Sequence, residues 1–155
     1  LSAWQSTLGD FNGDGRTDIL WRDAYTDVVK IAISGVDGEQ ADVARHINKS
    51  SAWTQAIGDF NGDGRDDIFW RNVEDGTVKV AVSDVNGAQD FATAHYNKWY
   101  DWQYTIGDYS GDGRTDILWR KPNTGEVKVA VSNGEAGQGG IVLHDNRSAD
   151  WTLVQ

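Results

Sequence analysis

The sequence contains no cysteine, no methionine and a single proline, Pro122. Without thiols there can be no disulfide framework and no thiolate metal site. No run approaches the ~18 consecutive apolar residues that a membrane-spanning helix needs. Basic residues are also few: 14 Lys and Arg stand against 24 Asp and Glu, for a formal net charge of −10. That balance disfavours nucleic acid and anionic membranes as partners, because phosphates are held by cationic contacts. It points instead to bound cations. No stretch carries a 3.6-residue apolar period. No signal peptide pattern is visible at Leu1, so the chain reads as a mature or excised portion of something longer.

Glycine (18) and tryptophan (8) are plentiful within the 155 residues, enough chain for one domain with a real core. They recur in phase, at a spacing of 49 residues without insertion. Trp4, Trp53, Trp102 and Trp151 form one series, and Trp21, Trp70 and Trp119 another. The only histidines, His46, His95 and His144, keep the same phase, as do Asn48, Asn97 and Asn146. Residues 1–155 therefore read as a single repeat domain with units 1–49, 50–98 and 99–147. The closing segment SADWTLVQ (148–155) matches the start of a fourth.

Within a unit the pattern is all-β. TVKVAVS (77–83) alternates, with Val78, Val80 and Val82 on one face and Lys79, Ala81 and Ser83 on the other. DIFW (67–70) is apolar on both faces, as a strand between stacked sheets would be. WTQAIGDF (53–60) and ATAHYN (92–97) supply two more strands, and EDGT (74–77) and DVNG (84–87) mark turns. Four strands in a unit of this length describe one propeller-type blade. A closed propeller takes about four to eight blades, so three imply part of, or assembly into, a larger one. The β-trefoil, with three four-stranded repeats in a chain of this length, is the alternative.

Each unit contains an acidic loop: GDFNGDGRTDILWR (9–22), GDFNGDGRDDIFWR (58–71) and GDYSGDGRTDILWR (107–120). Asp10, Asn12, Asp14 and Asp18 place side-chain oxygens at positions 1, 3, 5 and 9, and Arg16 at position 7 offers its backbone carbonyl. Glycines at positions 4 and 6 let the chain fold around one point. Carboxylates this close repel one another unless a cation sits among them. Oxygen-only donors suit Ca²⁺, which takes about six to eight oxygens. An EF-hand is excluded, since its twelfth position is a bidentate Glu between helices; here it is Trp21, Trp70 or Trp119. A dockerin repeat fails for the same reason.

These loops, each followed by a turn and a VKVAVS-like strand, resemble the bacterial FG-GAP/VCBS-type calcium-binding repeats, related to the blades of integrin α-subunit propellers. The resemblance covers essentially the whole chain. It implies that the loop joins the first and second strands of a blade and that Ca²⁺, about three ions in all, staples each hairpin. The implied ligands are Asp10, Asn12, Asp14, Arg16 (carbonyl) and Asp18; then Asp59, Asn61, Asp63, Arg65 (carbonyl) and Asp67; then Asp108, Ser110, Asp112, Arg114 (carbonyl) and Asp116. Ser110 departs from the usual Asn or Asp, so the third site is expected to be weakest.

A second motif, HxN[KR], also recurs once per unit. Its candidate ligand-binding residues are His46 and Asn48; His95, Tyr96, Asn97 and Trp99; and His144 and Asn146. Asn and His give directional hydrogen bonds and aromatic rings stack on sugar C–H faces, so a glycan site per repeat is one reading. Weak identical sites gain through multivalency. The other reading is that Asn caps a turn while His packs between blades. The in-phase Trp21, Trp70 and Trp119 are expected to be core, and Trp99, out of phase, to be exposed. Arg22, Arg71 and Arg120 are expected to pair with a carboxylate of the adjacent blade.

No catalytic arrangement is present: there is no Cys nucleophile and no nucleophile-elbow serine, and the histidines occupy equivalent positions. The sequence thus reads as a secreted, Ca²⁺-stabilised, non-catalytic binding module, lectin-like in its carbohydrate recognition. The alternative is a structural, assembling or accessory domain of an extracellular adhesin, toxin or hydrolase. Glycans or another protein are the expected partners, with self-association or membership of a longer chain.

Overall fold

The computed structural model describes residues 3–46, 51–95, 101–135, 138–140 and 145–146. Among them there is no helix, and hence none long and apolar enough to cross a membrane. The chain forms three antiparallel sheets in strict sequence order. Blade 1 contains β1 (Trp4–Gly9), β2 (Asp18–Asp23), β3 (Val29–Ser34) and β4 (Gln40–His46). Blade 2 contains β5 (Trp53–Gly58), β6 (Asp67–Asn72), β7 (Val78–Ser83) and β8 (Gln89–His95). Blade 3 contains β9 (Gln103–Gly107), β10 (Asp116–Lys121) and β11 (Glu126–Ser132), with β12 (Gln138–Gly140) and β13 (Asp145–Asn146) both pairing β11.

The registers repeat because the residues do. Gly9 faces Asp18 across the first hairpin, Gly58 faces Asp67, and Gly107 faces Asp116. The acidic loop therefore joins first and second strands in every blade. The second hairpin turns through a left-handed residue in all three: Gly76 (φ 74) and Gly125 (φ 70), but Asp27 (φ 58) in blade 1. Asp is among the few side chains that tolerate this conformation. The fourth strands bulge where they pair with Ile31/Ala32 and Lys79/Val80. Blade 3 departs further. His46 and His95 face Val29 and Val78, but in blade 3 it is Asp145, one residue past His144, that faces Val127.

Three separate sheets packed face to face, with no barrel, give the propeller-type arrangement and set aside the β-trefoil. Successive side chains of a strand point to opposite faces, so each blade buries two. Phe11, Leu20, Val29 and Ile31 of blade 1 meet Ile68, Trp70 and Ala81 of blade 2. Phe60, Phe69, Val78 and Val80 of blade 2 meet Trp102, Ile117 and Trp119 of blade 3. The Val78/Val80 face and the Ala81 face thus pack against different neighbours, as the alternation in TVKVAVS predicts. Lys30, Lys79 and Lys128 lie over the rings of Trp4, Trp53 and Trp102 of their own blades.

The tryptophans depart from strict equivalence. Trp70 and Trp119 are buried, but Trp21 is only half-buried. Trp70 and Trp119 sit between blades, while Trp21 faces outward from blade 1. Arg22 reaches the adjacent blade as expected, with a different partner: its Nη1 donates to the Trp53 carbonyl (2.6 Å) and to Gln55 Oε1 (3.1 Å). Its guanidinium also lies over the Trp70 ring.

Candidate functional site

The loop between first and second strands is held by its own acidic residues. Asp10 Oδ1 accepts the N–H groups of Gly13 (2.8 Å) and Asp14 (3.1 Å), and Oδ2 accepts that of Gly15 (2.8 Å). Asp59 and Asp108 repeat the pattern. Successive N–H groups can converge on one carboxylate because Gly13 and Gly15 are left-handed (φ 74 and 79). In the third copy these donors, Gly113 first, hold the Asp108 carboxyl below its ordinary value.

At position 3, Asn12 Nδ2 donates to Asp14 Oδ2 (2.7 Å), and Asn61 does the same to Asp63 (2.8 Å). That bond is the main reason Asp14 is shifted down. Ser110 lacks the amide, and its hydroxyl bonds Asp108 instead.

Two features of the loop exceed what the sequence reading assigned. Arg16, expected to contribute only its carbonyl, straps the loop down. Its Nε donates to the Ser34 carbonyl (2.9 Å) at the end of β3, and its Nη2 meets Asp14. Arg65 and Arg114 act identically on Ser83 and Ser132. Asp18 at position 9 is fully buried, with Oδ2 on the Phe11 N–H (2.9 Å) and Oδ1 on the Ser34 N–H (2.8 Å). Asp67 and Asp116 are equally buried and bridge the same strands. The serine hydroxyls donate in turn to the position 8 carbonyls of Thr17, Asp66 and Thr115. The in-phase serines closing each VKVAVS-like strand were the signal for this cross-link.

Burial pushes the Asp67 carboxyl up to about 7, despite its two N–H donors. A raised carboxyl favours the proton-binding native state, so its stabilising effect is complete below the ordinary value of 3.8 and is lost as pH rises through about 7. Within that window, chelator-treated protein should melt higher as the pH falls. The lowered groups Asp14 and Asp108 oppose this only nearer their ordinary value of 3.8 and below. Melting curves in chelator at several pH values check the sign; a melting temperature that falls on acidification from pH ~7 to ~5 contradicts it.

The loops are also joined to one another. The Asp66 N–H donates to the Asp10 carbonyl (2.7 Å), while the Asp10 N–H donates to Asp66 Oδ2 (2.8 Å). Thr115 N–H donates to the Asp59 carbonyl (2.7 Å). Burial, then the charges of Asp10, Asp59 and Asp18, raise Asp66 above its usual value.

Among the described residues no three His, Cys, Asp or Glu side chains converge within metal-binding reach. In this conformation the loop's own N–H groups, Asn12 Nδ2 and Arg16 Nη2 satisfy the carboxylates. The donor chemistry nevertheless fits a hard cation: carboxylates at positions 1, 5 and 9, an amide or hydroxyl oxygen at 3 and a carbonyl at 7, with no nitrogen or sulfur ligand. A bound cation would take over Asp14 from Asn12 Nδ2 and Arg16 Nη2.

Of the second motif, only His46, His95, Asp145 and Asn146 are among the described residues. The backbones of His46, His95 and Asn146 are placed opposite Val29, Val78 and Glu126. Asn48, Tyr96, Asn97, Trp99, His144 and the segment 148–155 lie outside the described residues.

Among solved structures, the chain is similar to a lectin from Agrocybe aegerita described for its specific recognition of non-reducing terminal N-acetylglucosamine. The identity is 24% and the TM-score 0.65, over 94% of this chain. The match spans 39% of the lectin's chain, well under half its length. No curated protein matches the chain. The profile of the FG-GAP-like repeat matches residues 10–70 and again 59–119, more than half of the sequence. With the loop in the same place in every blade, the chain belongs to the FG-GAP-like repeat family.

Proposed function

We propose that the protein is an extracellular, calcium-stabilised, non-catalytic module that binds carbohydrate. The observation that carries this reading is repetition. The same oxygen-donor loop and the same histidine–asparagine pair return in every blade, on a fold shared with a lectin that recognises N-acetylglucosamine. A catalytic group normally occurs once, in an asymmetric setting; equivalent sites on a rigid frame suit avidity.

In this reading the ions are structural. Asp10, Asn12, Asp14, the Arg16 carbonyl and Asp18, with their equivalents in blades 2 and 3, hold them. Ca²⁺ supplies a charge that relieves the repulsion among the carboxylates. The sugar is taken by the HxN[KR] residues, with three weak sites acting together.

A glycan array that includes terminal N-acetylglucosamine, run with calcium and with chelator, tests the proposal. Binding to a defined sugar family in calcium is expected. Replacing Asn48, Asn97 and Asn146 together by Ala should abolish it while leaving the melting temperature unchanged. Silence of the folded protein on the array would favour the second reading, a structural or assembling domain. The partly exposed outward faces of blades 1 and 3 favour that role.

A further inference from the structure

We propose that Asn133 deamidates spontaneously in the folded protein, and that the fold protects three other asparagines carrying the same reactive sequence. Asn-Gly occurs at Asn12-Gly13, Asn61-Gly62, Asn86-Gly87 and Asn133-Gly134. Glycine has no side chain to shield its nitrogen, so that nitrogen can attack the amide carbon of the asparagine before it.

The step balances with water as the only co-reactant. Base removes the proton from the Gly134 nitrogen, and the nitrogen bonds to Cγ of Asn133. Nδ2 leaves as ammonia, taking the proton back from solvent. Water then opens the five-membered imide. Cleavage of the Cγ–N bond gives Asp. Cleavage of the backbone C–N bond gives isoaspartate, in which the main chain runs through Cβ and Cγ. No atom is oxidised or reduced.

The fold separates the four sites by what holds the glycine nitrogen. In the acidic loops, the Gly13 and Gly62 N–H groups donate to Oδ1 of Asp10 and Asp59 (2.8 and 2.7 Å). Removing either proton would put a second negative charge beside a carboxylate. The amides are tied as well, through Nδ2 of Asn12 and Asn61 on Asp14 and Asp63. In the turn between β7 and β8, the Gly87 N–H donates to the Asp84 carbonyl (2.9 Å). Gly87 is buried, and a Cβ there would meet Ile33 at 2.5 Å, so this turn has no room to rearrange.

Asn133-Gly134 has none of these restraints. Both residues are exposed, a Cβ on Gly134 would meet nothing within 4 Å, and no described residue accepts the Gly134 N–H. The Glu135 N–H donates to Asn133 Oδ1 (3.1 Å). That bond folds the amide back over the following backbone and draws electrons from Cγ, which favours attack there. Asn12 and Asn61 accept the equivalent bond, but their glycine nitrogens are already held. The change falls beside the strap of the third loop. Ser132, the preceding residue, accepts Arg114 Nε (3.0 Å) and donates its N–H to Asp116 (2.9 Å).

Folded protein held in calcium at mildly alkaline pH, then digested and mapped by mass spectrometry against an unincubated sample, tests this. The four dipeptides fall in four separate tryptic peptides. Asn133 should become Asp and isoaspartate, with a mass gain of about 1 Da. It should do so at least ~10-fold faster than the others, whose reaction waits on local opening. In guanidinium chloride all four should convert at comparable rates. Gly134→Ala should slow the reaction at Asn133 and still fold, since its Cβ meets nothing. An Asn133 that converts no faster than Asn12, Asn61 and Asn86 in the folded protein overturns the proposal. So does a lead of Asn133 that persists unchanged in guanidinium chloride, because its cause would then be the sequence and not the fold.

Discussion

Chelating calcium is expected to lower the melting temperature more than any single substitution. An ion held only by the folded state stabilises it by RT ln(1 + [L]/Kd), ~2.7 kcal/mol per site at ~100-fold excess over Kd. Three filled sites would then contribute ~8 kcal/mol, comparable with the entire stability of an ordinary domain, ~5–15 kcal/mol. The reason for so large a share lies in the loops. The first and third bring three carboxylates into nine residues and the second brings four, and Asp18, Asp67 and Asp116 are fully buried. The loops are hydrogen-bonded to one another through Asp10–Asp66 and Asp59–Thr115, so loosening one disturbs its neighbour. The three loops also differ in sequence. Ser110 cannot reproduce the Asn12 and Asn61 amides, and calorimetric titration should resolve the third site as the weakest. A melting temperature indifferent to chelator would remove calcium from the account.

Trp70→Ala should cost ~3–5 kcal/mol, the range for truncating a fully buried aromatic. Trp70 is 0% exposed and fills the joint between blades 1 and 2, against Phe11, Leu20, Val29 and Ile31. The surrounding β-branched side chains have few rotamers with which to collapse into the gap. Its guanidinium neighbour Arg22 would also lose the ring it lies over. Trp21→Ala, one repeat earlier, should cost less than half as much in dilute protein, because that ring is only half-buried. Urea unfolding at low protein concentration measures both. Equal losses would mean that the joints between blades do not carry the core.

Much of the architecture was legible before any coordinates. The 49-residue period set the number of blades, the alternation in VKVAVS named the residues of both buried faces, and the turns fell at EDGT and DVNG. The loop positions were legible because a nine-residue motif closes on itself and needs no distant partner. The role of Arg16 was not, since its partner Ser34 lies eighteen positions on, at the end of another strand.

The sequence by itself determined the repeat, the all-β class and the place of the acidic loops, all of which depend on local spacing and chemistry. Only the tertiary structure decided what happens to residues that the repeat makes identical. Trp21 and Trp70 each follow Asp-Ile and one large apolar residue and precede Arg, Phe11 and Phe60 have identical flanks, and the aromatic at position 109 follows the same Gly-Asp. Yet Trp70 is sealed and Trp21 is not, and Phe60 is sealed while Tyr109 is 42% exposed. Burial depends on whether another blade stands in front of a face, and that is a property of position in the stack, which no local pattern encodes.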